Sequence, residues 1–136
     1  MKTKILILLY FVFALPLFCQ VAVIANKSIQ ANSIDKNSLR KLYELGTLEF
    51  EGKKVLLFDL KTETPEKSGF YTFLGTTPGN IKKTWLKVTL SGNGVAPLSV
   101  TTQEEMLQKV ASTPNSIGYI SKSMVNDKVK ILTEIP

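Results

Sequence analysis

The chain has 136 residues, a formal net charge of +6, 44% hydrophobic residues, no histidine and a single cysteine. Histidine acid/base catalysis and the usual zinc sites are therefore excluded. The length suits one compact domain with its own core and is too short for two.

The first residues read as a targeting segment. Lys2 and Lys4 precede an apolar run from Ile5 to Phe18, broken by Pro16 and followed by Cys19-Gln20. That is the layout of a secretory signal peptide. Removal of residues 1–19 is expected, leaving residues 20–136 as an exported, periplasmic or extracytoplasmic domain. Two other readings stand beside it. Cys19 would be acylated in a lipoprotein, although Phe18 and Pro16 occupy positions where a small residue and leucine are wanted. Alternatively, Ile5 to Ala25 reaches the ~20 residues that span a bilayer. Cleavage takes the cysteine with it, so the mature chain has no thiol nucleophile and no internal disulfide. It also removes two of the 17 basic residues and none of the 11 acidic ones, which lowers the net charge from +6 to +4. The remaining cations are scattered, with pairs at Lys53-Lys54 and Lys82-Lys83. This pattern describes a solvated surface and not a nucleic-acid interface.

Val21-Ala22-Val23-Ile24-Ala25 is a short, continuous apolar run, which predicts a buried strand. Ser33 or Asp35 caps a helix carrying Leu39, Leu42 and Tyr43 on one face, with Gly46 placed to end it. Lys53 to Leu60, "KKVLLFDL", predicts a second buried strand. Thr64-Pro65 is an N-cap followed by a first-turn proline, and opens a helix with Phe70, Tyr71, Phe73 and Leu74, closed by Gly75. Thr77-Pro78 repeats the signal for a helix through Ile81, Trp85 and Leu86. The glycine-rich run Leu90 to Pro97 reads as a loop. Thr102-Gln103-Glu104-Glu105 is a capping box ahead of Met106, Leu107, Val110 and Ala111. Thr113-Pro114-Asn115 breaks that helix, with Asn115 suited to a left-handed conformation. The strand Ile117-Gly118-Tyr119-Ile120 follows, its glycine leaving room for a close neighbour. Val129 to Leu132 predicts a last strand. Strands alternating with helices imply an α/β fold, a mostly parallel or mixed sheet flanked by helices.

Three loops have the chemistry to hold a small anion, given that helix N-termini present free N–H groups beyond strand ends. Asn26-Lys27-Ser28 follows the first strand. Lys61-Thr62-Glu63-Thr64 runs into a helix N-terminus, with Lys67 and Ser68 in the next turn. Ser91-Gly92-Asn93 offers small residues and exposed backbone. Each also has a plain structural reading, as a strand exit, a helix cap and a turn. Glu63 and Glu66 suit a helix N-terminus, where they hold the place an anion would take. No residue set points to catalysis, a metal or a cofactor.

"TPNSIGYI" resembles the Thr-Pro-Gly-Ala-Ile-Gly-Tyr-Val motif near the end of phosphate-binding proteins, the extracytoplasmic solute-binding components of phosphate ABC transporters. "SIDKNSLRKLYELGT", "VLLFDLKTETPEKSGFYTFLG" and "TWLKVTLSGNGVAP" are similar to further segments of that family, in the same order, over about residues 21–132. The resemblance implies a type II periplasmic-binding-protein fold, reduced to one domain, that binds without catalysing. Its implied partners are phosphate or a similar small oxyanion and a transporter permease, with no nucleic acid and no membrane contact beyond the signal peptide. The family's Arg-Ser-Asp-Gly-Ser-Gly-Thr-like loop is replaced here by Asp59-Leu60-Lys61-Thr62-Glu63-Thr64-Pro65. This segment has no glycine or arginine, and its proline lacks an N–H. The alternative expectation is therefore an envelope interaction module that keeps the fold and has lost the ligand.

Overall fold

The structure, a computed structural model, describes residues 20–45 and 49–136. The expected signal peptide, its cleavage point and the helix stop at Gly46 lie outside these residues. A five-stranded sheet, in spatial order β5-β4-β6-β1-β7, runs through the molecule. Its strands are β1 (Val21–Ala25), β4 (Leu56–Leu60), β5 (Leu98–Val100), β6 (Ser116–Ser121) and β7 (Lys130–Ile135). The helices are α1 (Lys36–Leu45), α2 (Pro65–Phe73), α3 (Pro78–Leu90) and α4 (Gln103–Ser112). All five β1 residues are fully buried, as a continuous apolar run covered on both faces should be.

The sheet is mixed. β4 runs parallel to β5 and β6, whereas β1 runs antiparallel to both β6 and β7. That direction has a large effect on the site. The C-terminal end of β1 lies beside the N-terminal ends of β4 and β6, with Ala25 opposite Ile117 and Leu56 opposite Ser116.

Lys53 to Leu60, expected as a single strand, divides in two. Lys53-Lys54 (β3) pairs with Glu49-Phe50 (β2) in a small hairpin, and only Leu56–Leu60 joins the main sheet. The hairpin turn places Glu51 at φ 53° and Gly52 at φ 76°, the two positive values that a tight primed turn requires. The strand β5 was not expected, since three residues after a proline show no useful period.

Helix ends follow the sequence signals. Asp35 accepts from the Ser38 N–H at 2.7 Å, which selects it over Ser33 as the α1 cap. Thr64, Thr77 and Thr102 each accept from the N–H three residues on. In the capping box, Glu105 reaches back to the Thr101 N–H, one residue before the cap. Gly75 ends α2 at φ +79° with paired bonds from Gly75 N to Thr72 O and from Thr76 N to Tyr71 O, a Schellman closure.

The centre of the core is aromatic. Phe70 stacks on Tyr119 with centroids 4.0 Å apart, and Tyr43 meets Phe70 edge-on at 4.8 Å. Trp85 donates its indole N–H to the Tyr43 carbonyl at 2.6 Å, linking α3 to α1. α4 lies against β6 at Gly118, where an added Cβ would come within 2.5 Å of Met106 Sδ. Asn115 adopts φ 54° just before this strand.

Candidate functional site at the β4–α2 corner

Parallel strands β4, β5 and β6 end on one side of the sheet, and α2 and α4 both begin there. β4 delivers Asp59 and Leu60, the chain turns through Lys61-Thr62-Glu63, and Thr64-Pro65 starts α2. The Lys61 N–H is tied to the Val100 carbonyl at 2.8 Å, so this corner is joined to the end of β5. The side chains of Lys61, Thr62 and Ser68 are exposed to solvent. Thr64 Oγ1 accepts from the Lys67 N–H at 3.2 Å. Its hydroxyl proton is thereby left to donate elsewhere.

Lys67 does not point at solvent. It is 1% exposed, and its ammonium donates to the Leu60 carbonyl at 2.7 Å. Asp59 Oδ2 and Glu63 Oε1 each lie 3.6 Å from the same nitrogen. A buried charge is tolerated only when paired and hydrogen-bonded, and Lys67 has both. Asp59 is equally enclosed, and its Oδ1 accepts from Tyr71 at 2.6 Å and Tyr119 at 2.5 Å. The Tyr119 oxygen in turn accepts from the Leu60 N–H at 3.2 Å. Burial, followed by the nearby Asp59 carboxylate, pushes both tyrosine hydroxyls far above the ordinary tyrosine pKa. They therefore stay protonated donors. Loop, strand end and helix start are held by one network whose polar groups satisfy each other.

The sequence reading missed this network of Asp59, Tyr71 and Tyr119. One signal was available: an aspartate inside "VLLFDL" breaks an otherwise buried run, and buried acids are rarely unpaired.

One other expected loop, Asn26-Lys27-Ser28, does not converge on the corner. Because β1 is antiparallel, Asn26-Lys27-Ser28 sits at the opposite end of the sheet. There Asn26 donates to the Val110 and Ala111 carbonyls at 2.8 and 3.0 Å, capping the C-terminus of α4. Its Oδ1 accepts from the Ser28 N–H, and Ser28 Oγ accepts from the Asn115 N–H at 2.8 Å. Lys27 is exposed there. Ser91-Gly92-Asn93 closes α3, with Gly92 at φ +72° and bonds from Gly92 N to Thr89 O and from Asn93 N to Val88 O. A cleft of about 40 Å³ at the far end, bounded by Ile29, Phe50, Val55 and Asn115, is sized for water and not for a solute. Among the described residues no cluster fit to hold a metal ion is present, and no helix is long and apolar enough to cross a membrane.

No family model matches the chain, and no curated protein matches it significantly. Solved structures do. An ABC-type phosphate transport receptor from Vibrio cholerae superposes with a TM-score of 0.64 at 14% identity, over 83% of this chain and 45% of the receptor. A putative phosphate ABC transporter substrate-binding protein from Clostridium perfringens, with bound phosphate, gives 0.68 at 15% identity, over 83% and 44%. PstS from Borrelia burgdorferi gives 0.62 at 16% identity, over 85% and 48%. The likeness is one of fold. The chain shares its fold with part of these proteins and spans less than half of their length.

Proposed function

We propose that the chain is an exported binding domain, not an enzyme, and that its β4–α2 corner takes a small oxyanion such as phosphate weakly. The observation that carries this reading is the corner itself. A strand end feeds a helix N-terminus, and around it stand the exposed Lys61 ammonium and the hydroxyls of Thr62, Thr64 and Ser68. Lys67 acts from below, fixing the loop through Leu60, and is not a direct ligand. Affinity is low because Asp59, Glu63 and Glu66 outnumber Lys61 and Lys67, and because under half of a receptor supplies one wall of a site. A transporter permease or another envelope chain would supply the remainder.

The test is calorimetric titration with phosphate, sulfate and a dicarboxylate. Millimolar binding that is lost in Lys61→Ala and in Thr62→Ala supports the reading, and silence with every anion overturns it. A second reading is favoured by the internal pairing of Lys67 with Asp59, which leaves the inner cation of the corner nothing to offer a ligand. On that reading the domain is an envelope interaction module without a solute. Pull-down from envelope extracts discriminates, since a transport receptor should recover its permease.

A further inference from the structure

Among the described residues, four of the five large apolar side chains left exposed fall within one stretch: Leu86 (61%), Leu90 (79%), Val95 (57%) and Leu98 (48%). The same stretch, Lys67 through Gln103, contains no aspartate or glutamate. Its helix, α3, buries Ile81 and half-buries Thr84, Trp85 and Val88. The opposite face carries Lys82, Lys83, Leu86, Lys87 and Leu90, all exposed. At 3.6 residues per turn these five fall within an arc of about 140°. Leu86 and Leu90 lie inside the arc, flanked by Lys82 on one side and by Lys83 and Lys87 on the other. Protruding leucines framed by lysines, with no acid on the helix, put apolar area and positive charge on one exposed face, the two terms that favour contact with an anionic lipid surface.

We propose that this face of α3 docks the domain on an anionic lipid surface, with Leu86 and Leu90 entering the headgroup region and the three lysines meeting lipid phosphates. Charge decides among the possible occupants. A second copy would set the same three lysines against one another, whereas an anionic bilayer complements them and also takes up the leucines. Each lysine near such a surface strengthens partition by about fivefold, and the three together by about a hundredfold.

The experiment uses the full chain with Cys19→Ser and Leu90→Cys, carrying an environment-sensitive fluorophore at position 90. Reading at that position separates α3 from any contact made by the apolar N-terminal segment. Vesicles of mixed phosphatidylglycerol and phosphatidylcholine should shift the emission to the blue. Pure phosphatidylcholine should not, and high salt should reverse the shift. Lys82→Gln, Lys83→Gln and Lys87→Gln combined should weaken the partition about a hundredfold, with the far-ultraviolet circular dichroism unchanged. A label at Lys109→Cys, in the last turn of α4, should stay in water. No shift at position 90, an equal shift with neutral vesicles, or an equal shift at position 109 would overturn the proposal. So would a concentration-dependent shift without vesicles, which means a second copy, or one produced only by an acidic protein.

Discussion

Met106 Sδ occupies the space beside Gly118 so closely that a Cβ built on the glycine falls 2.5 Å from the sulfur and 3.0 Å from Val110 Cγ2. The glycine in "NSIGYI" is therefore a packing device, which lets α4 settle on β6. Gly118→Ala should destabilise by about 1–3 kcal/mol, the usual cost of overpacking. In a Met106→Ala background the contacts with the methionine are gone and only the Val110 contact remains, so the same change should cost clearly less. Urea unfolding of the four chains in the cycle reads this coupling. Additive costs would show that the glycine matters through its backbone alone.

Lys67 and Asp59 share the interior of the β4–α2 corner, and removing one strands the other. Lys67→Met should cost about 3–5 kcal/mol, because the Asp59 carboxylate remains buried without a cation. Adding Asp59→Asn should recover part of that loss, since an amide oxygen still accepts from Tyr71 and Tyr119. If Lys67 were instead a ligand, Lys67→Met would weaken phosphate binding and leave the urea midpoint in place. Unfolding and titration on the same variant separate the two roles.

Much of the fold was legible because it rests on local signals. Thr64-Pro65, Thr77-Pro78 and Thr102 announced helix starts that occur where expected, and Gly75 its helix stop. The apolar run Val21–Ala25 announced its strand to the residue. What stayed hidden was direction. Nothing in "VAVIA" says that β1 runs against β6 and β7, yet that fact alone carries Asn26, Lys27 and Ser28 to the end of the sheet away from Lys61 and Thr62. The pairing of Lys67 was hidden for a similar reason. A lysine in the first turn of a helix looks solvated until the fold brings Asp59 and the Leu60 carbonyl beneath it.

Asn26, just after β1, caps the last turn of α4 from outside the helix, with its side-chain amide donating to two carbonyls of that helix. Asn26→Ala leaves the Val110 and Ala111 carbonyls without those donors and should cost about 1–3 kcal/mol. Neither this change nor Lys27→Ala should alter phosphate affinity, as both residues lie far from the β4–α2 corner. A weakened titration in Lys27→Ala would move the site to the opposite end of the sheet.

The tyrosines give a pH signature. Tyr43, Tyr71 and Tyr119 are buried, and desolvation followed by the Asp59 charge raises each hydroxyl well above the ordinary value of 10.0. A group whose folded pKa is raised contributes stability that is complete below the unfolded pKa and falls as pH climbs above it. Stability should therefore be level through neutral pH and decline above about pH 10, where the unfolded tyrosines release their protons. In absorbance at the tyrosinate band, Tyr43, Tyr71 and Tyr119 should appear together, at the pH where circular dichroism reports unfolding. A smooth titration of these three near pH 10 in the folded protein would mean that water reaches the Asp59 network. Tyr71→Phe and Tyr119→Phe should each remove one tyrosinate from that abrupt step.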